Sequence, residues 1–367
     1  MSKKQKHYFL GGNTSVGFYS HYDYILPQNE ARRIICIKGG PGTGKSSLMK
    51  KVGNLFLDKG YTVEFHHCSS DSNSLDGVVI KGLNIALLDG TSPHVVDPKN
   101  PGAIDEILNM GQCWNEDGFK EYREDILDVQ DKISKKFKRA YRFLAAARNV
   151  YEDWYTFNRE TLDFNKVNHL KESLKNEIFS DEISSVGFDR HLFSTAFTPG
   201  GVISFIPNLI EDVENVYILK GAPGVGKTEV LAYLADEAVK RGHYVEVLHT
   251  PLMPEKIEHI LIPDLNTAIV TSNEINKLAT QGIVYDMNKF LDEALIKANK
   301  DEIEYVKNTF YILLNKALSC IQQAKHLHDD LESYYIPNMN FDKIDDVSNE
   351  IIQRLLQYEK EYLAEKQ

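Results

Sequence analysis

Long hydrophobic runs are missing from this 367-residue chain. No window approaches the roughly 18–20 apolar residues of a membrane span, and the lysine-rich start is not followed by the apolar stretch of a secretory signal. Cysteine is scarce too. Cys36, Cys68, Cys113 and Cys320 lie far apart, without the spacing of a disulfide framework or a zinc site. They read as reduced thiols, so the expected location is cytoplasmic and no membrane partner is expected. Positive charge is in deficit: 42 Lys and Arg stand against 53 Asp and Glu, a net charge of −11. That balance repels phosphate backbones and argues against a general nucleic-acid groove. The 42% hydrophobic and 26% charged content is that of a globular chain, and the length suits two domains better than one core.

An internal duplication organises the chain. Residues 33–89 align without a gap to residues 215–271 at an offset of 182, with identities at Lys38/Lys220, Gly39/Gly221, Pro41/Pro223, Gly42/Gly224, Gly44/Gly226, Lys45/Lys227, Glu64/Glu246 and His67/His249. Upstream, His7, Phe9, Thr14, Gly17 and Ser20 match His191, Phe193, Thr198, Gly201 and Ser204. Downstream, Arg139-Ala140 matches Lys316-Ala317, Ala147-Arg148 matches Ala324-Lys325, and Phe164–Val167 matches Phe341–Ile344. Two units follow, 1–182 and 183–367.

Each unit reads as a β-like lead-in, a buried strand (Ile34–Lys38, Val216–Lys220), a glycine loop, and a helix (Lys45–Lys59, Lys227–Arg241) with one apolar face stopped by Gly60 or Gly242. A second strand ends at His67 or His249, and a third at Asp89 or Thr271. Strand, helix, strand, segment, strand predicts an α/β fold with a mostly parallel sheet and right-handed crossovers. The rest of each unit is helical. Ile126, Ile133, Phe137, Ala140, Leu144, Ala147 and Tyr151 form the stripe of a helix packing along another helix.

The two loops carry the chemistry. Gly39-Gly40-Pro41-Gly42-Thr43-Gly44-Lys45-Ser46 and Gly221-Ala222-Pro223-Gly224-Val225-Gly226-Lys227-Thr228 both fit the phosphate-loop pattern G-x-x-x-x-G-K-[ST]. Glycines let successive amides face one anion, and the helix N-terminus adds positive charge, with Ser47 and Glu229 next in line. Lys45 and Lys227 would reach the terminal phosphates, and the Ser46 and Thr228 hydroxyls would ligate magnesium.

The copies differ in their acids. Asp89 ends an apolar strand and is the candidate partner of Ser46 in holding magnesium, an ordinary turn residue being the alternative. Asp71, among serines after the second strand, is a candidate for polarising water or a capping residue. Their counterparts in the second copy are Thr271 and Met253. Asp76 is matched by Glu258, which a solvated acid at a helix start explains as well as a site does. The expected working site is therefore in the first copy, with binding or regulation in the second. Lys132, Lys135, Lys136, Lys138, Arg139 and Arg142 make the first helical segment basic, and Arg139/Lys316 and Arg148/Lys325 are cationic in both copies. These are candidates for stabilising charge on a leaving phosphate, a solvated helix face being the alternative. His94 follows the Asp89 strand in a loop expected to face the nucleotide. His66, His67, Cys68 and Asp71 lack the second ligand pair of a transition-metal site.

The glycine loops, together with His67-Cys68-Ser69-Ser70-Asp71, Ser74-Leu75-Asp76-Gly77, Ala86-Leu87-Leu88-Asp89-Gly90-Thr91 and Pro93-His94-Val95-Val96-Asp97-Pro98, resemble those of an uncharacterised bacterial family of tandem P-loop ATPases, proteins labelled predicted ATPase or nucleotide kinase. The resemblance covers nearly the whole chain. It implies ATP binding and supplies no settled substrate. Three functions are expected in order: an ATPase using magnesium at the first copy; a kinase acting on a nucleotide or other small molecule under the basic helical lid; and a nucleotide-dependent switch that binds a partner protein through its helices.

Overall fold

The computed structural model describes residues 5–92, 95–180 and 185–366. In the first half the strands are β1 (Gln5–Phe9), β2 (Gly11–Thr14), β3 (Gly17–Ser20), β4 (Arg33–Lys38), β5 (Val63–His67), β6 (Leu75–Ile80), β7 (Ile85–Asp89) and β8 (Asp105–Asn109). Its helices are α1 (Lys45–Asp58), α2 (Arg123–Glu160) and α3 (Phe164–Ile178). The second half has β9 (Phe188–Phe193), β10 (Thr195–Thr198), β11 (Gly201–Ser204), β12 (Asn215–Lys220), β13 (Tyr244–His249), β14 (Ile257–Ile262), β15 (Thr267–Ser272) and β16 (Ile283–Asp286). Its helices are α4 (Ile206–Leu209), α5 (Lys227–Lys240), α6 (Glu293–Ala298), α7 (Lys300–Tyr335) and α8 (Phe341–Glu365). Each strand thus has a counterpart eight places on, and the duplication is one of fold as well as sequence.

The fold is α/β. Strand order runs β1-β5-β6-β7-β4-β8 in the first half and β9-β13-β14-β15-β12-β16 in the second. β4 is parallel to β7 and β8, and β5 to β1, with the equivalent pairs parallel in the second half. The segment between the second and third expected strands is itself a strand. β6 lies antiparallel between β5 and β7, and β14 between β13 and β15. Asp76 reads in sequence as an acid at a helix start, yet it lies in β6, where Val78, Val79 and Ile80 are buried and their β-branched side chains favour the sheet.

The chain forms two compact units, and neither is a contiguous half. One comprises Met1–Gly11, Ser20–Lys138 and Cys320–Gln367; the other comprises Gly12–Tyr19 and Arg139–Ser319. The division at 182 follows the repeat and not the packing. In the first unit, Ile344, Ile351, Ile352 and Leu355 of α8 share a core with Leu48, Met49 and Val52 of α1. In the second, Val167, Leu170 and Leu174 of α3 share one with Val230, Leu231 and Leu234 of α5. Each half's terminal helix belongs to the unit that carries the other half's glycine loop. No helix among the described residues is long and apolar enough to cross a membrane.

Candidate functional site

Both glycine loops join the C-terminal end of a strand to the start of a 14-residue helix. Gly42 and Gly44 adopt φ of 69° and 81°, and Gly224 and Gly226 adopt 84° and 92°. This left-handed backbone costs a side chain about 1–2 kcal/mol per residue, which is why glycine holds these positions. The curl brings each lysine back over its own loop. Lys45 Nζ donates to the carbonyls of Gly39 (2.7 Å) and Gly40 (2.9 Å), and Lys227 Nζ to those of Gly221 and Ala222, both at 2.6 Å.

In the first unit Lys45 Nζ also lies 3.6 Å from an Asp89 carboxylate oxygen. β7 runs parallel beside β4, with Ile37 opposite Asp89, so the sheet sets the acid at the mouth of the loop. Asp89 accepts the Thr91 amide at 2.9 Å, and the Thr91 hydroxyl donates to the Gly39 carbonyl at 3.0 Å. Ser46 Oγ accepts the Leu75 amide at 3.0 Å, tying the first turn of α1 to β6. Ser47 is exposed on that turn. Tyr335, Ile336 and Ile344 wall the loop's outer side: a Cβ on Gly40 would meet the Tyr335 ring at 2.8 Å, and one on Gly44 would meet Ile344 at 3.3 Å. Lys38 Nζ donates to the Gly90 and Val96 carbonyls and to Asp97, fastening the loop after β7. Pro93 and His94, including the expected His94 contact, lie outside the described residues.

Asp71 sits in its own turn. It accepts from the Asn73 amide (3.2 Å) and the Ser74 hydroxyl (2.9 Å), and lies 3.5 Å from Lys325 Nζ. Lys325 also pairs with Asp329. Arg139 is exposed, its guanidinium over the Phe143 ring, and it belongs to the second unit while Lys45 belongs to the first. Arg148, the counterpart of Lys325, pairs in the second unit with Glu152 and Glu255. Of the recurring cations, Lys325 and Arg148 thus ion-pair with the segments after β5 and β13 of the opposite half.

The His66-His67-Cys68 run diverges. His66 faces Glu64 at 3.3 Å, while His67 bonds His7 at 2.9 Å and the Ser72 carbonyl at 2.9 Å. His191 and His249 repeat the pair at 2.7 Å. Burial holds His67 and His249 down at about 4.

In the second unit, Tyr155, Gly226, Lys227, Thr228, Glu258, Thr271 and Asn273 line a cavity of about 60 Å³. Glu229 leaves the loop to pair with Arg159 at 2.6 Å, and Asn158 donates to the Pro223 carbonyl at 2.7 Å. Thr271, standing where the first copy has Asp89, is buried. Burial pushes the Glu258 carboxyl up to about 7 and the Lys227 ammonium down to about 7. Asp76 and Glu258 are 3% and 2% exposed on β6 and β14, so neither is a solvated acid at a helix start. The sequence showed that a carboxylate recurs there; its depth came from the missed strand. The wall residues Tyr335 and Asn158 carried no signal, because each arrives from a distant helix. No family model, curated protein or solved structure matches this chain.

Proposed function

We propose that each half is a P-loop nucleotide-binding unit taking a magnesium-bound nucleoside triphosphate, with ATP the leading candidate. The first copy hydrolyses the terminal phosphoanhydride, and the second serves binding or regulation. The observation that carries this reading is Lys45, whose ammonium is held by two loop carbonyls at the N-terminus of α1 and lies within ion-pair distance of Asp89.

The loop amides and the end of α1 receive the phosphate oxygens. Lys45 exchanges its carbonyl partners for the terminal phosphates, a replacement of dipoles by full charges that favours the bound state. The Ser46 hydroxyl and the Asp89 carboxylate are oxygen donors of the kind magnesium takes, and Thr228 is the equivalent hydroxyl in the second copy. Bound there, magnesium supplies neutralisation of charge on the transferring phosphoryl group. Asp71 orients water, whose oxygen forms the new bond to phosphorus as the bridging P–O bond breaks and the diphosphate leaves. Lys325, already paired with Asp71 in the first unit, supplies the cation expected of Arg139.

The test incubates the purified protein with ATP and magnesium, with and without a panel of nucleosides and nucleotides. Acceptor-independent phosphate release that disappears in Lys45→Ala supports the reading. Phosphorylated acceptor would make the protein a kinase, and tight binding with neither product a switch for a partner protein.

A further inference from the structure

Loss of Asp89 in the second copy leaves the loop at Lys227 with no acid at the end of its neighbouring strand. The sheet offers a replacement from one strand further on. β6 and β7 pair antiparallel with Gly77 opposite Leu88, so continuing the register by one residue sets Asp76 across from Asp89. β14 and β15 pair with His259 opposite Val270, and the same step sets Glu258 across from Thr271. The first copy thus has two short acids side by side. The second has a short hydroxyl and, beside it, an acid longer by one methylene.

Glu258 lines the same cavity as Gly226, Lys227 and Thr228. One oxygen, Oε1, lies 3.4 Å from Asn273 Nδ2. The other, Oε2, has no hydrogen-bond partner and lies 3.6 Å from His259 Nε2, with the Thr195 and Asn276 side chains also beside the carboxylate. A carboxylate this deeply buried is costly unless fully partnered, and an unfilled acceptor beside a helix N-terminus, a lysine and a hydroxyl suits a cation carried in with a polyphosphate.

Resting on the nucleotide-site reading above, we propose that Glu258, with Thr228, holds the divalent cation of a nucleoside triphosphate at the Lys227 loop, taking over the part that Asp89 plays in the first copy. The second copy is then a magnesium-dependent site whose carboxylate has moved one strand across.

The test is made in full-length Lys45→Ala protein, which isolates the second loop. Affinity for a fluorescent ATP analogue is measured with excess magnesium and with EDTA, and thermal melting reports folding. Glu258→Gln, nearly isosteric, is expected to lower affinity in magnesium by about tenfold or more while leaving affinity in EDTA unchanged. Adding Thr271→Asp to Glu258→Gln puts an acid back at the strand end, where the first copy has Asp89, and is expected to restore the magnesium effect. A magnesium-to-EDTA ratio unaltered by Glu258→Gln overturns the assignment of Glu258 and leaves the nucleotide site standing. Absence of any analogue binding to Lys45→Ala overturns the nucleotide site itself, and the assignment with it.

Discussion

The two glycine loops differ at a matched glycine: Gly42 is edged by a side chain, whereas Gly224 is edged by backbone. A Cβ on Gly42 would meet the Ile336 side chain at 3.1 Å; one on Gly224 would meet the Tyr155 carbonyl oxygen at 2.3 Å and the Arg159 amide nitrogen at 3.2 Å. Gly221, Pro223, Gly224, Val225 and Gly226 are all buried, while in the first loop only Thr43 is. Identical turn chemistry has been placed in two settings. The first loop carries Lys45 against the half-open carboxylate of Asp89, and the second carries Lys227 in an enclosed site faced by a buried acid. The backbone curl follows from glycine spacing, but the freedom to exchange phosphates depends on what stands around it.

The largest expected effect separates the loops by turnover. Lys45→Ala is expected to lower steady-state phosphate release by about 10²–10³-fold, the scale of removing a charge-stabilising group, with Lys227→Ala remaining within about threefold. The reverse order would invert the comparison.

Next comes the packing of the terminal helices. Leu355→Ala on α8 and Leu174→Ala on α3 each empty a fully buried site and are expected to cost about 2–5 kcal/mol. Their local signatures should cross over: Leu355→Ala should speed amide exchange in α1, and Leu174→Ala in α5. Exchange that stays within the contiguous half carrying the substitution would break the unit assignment.

The loop walls give a smaller contrast. Gly224→Ala is expected to destabilise by about 2–4 kcal/mol, since a backbone carbonyl has to move. Gly42→Ala is expected to cost about 1–2 kcal/mol, mostly its left-handed backbone, because Ile336 has side-chain freedom to yield. Urea denaturation of the two variants measures the difference.

The histidine pairs should behave alike in both halves. An unfolded histidine takes up its proton near pH 6.5, whereas folded His67 and His249 do so only at about 4. Their stabilising contribution is complete above pH 6.5 and is lost as pH falls toward 4, on the order of 3 kcal/mol for each pair. Urea midpoints measured across that window should fall, and His67→Gln should make the fall shallower.

Much of the site was legible before folding was considered. The two loops, their strand-to-helix setting and the placement of Asp89 at a strand end follow from residue spacing, because each is local. Asp76 and Glu258 were visible as a recurring acid, but their burial was not. That depended on β6 and β14, whose pairing partners must be brought in from elsewhere in the chain. Asp71 was legible as either a water-orienting acid or a turn residue among serines; its ion pair with Lys325, 254 residues further along the chain, was not.

The sequence by itself determined that this chain is duplicated, that each copy is α/β, and that each contains one glycine-curled turn before a helix. Those features need only neighbours within a few residues. Tertiary structure alone decided which helix covers which loop, because α3 and α8 carry similar apolar stripes and either core would accept either stripe by pattern. It is the packing of Leu355 against α1, and of Leu174 against α5, that assigns them.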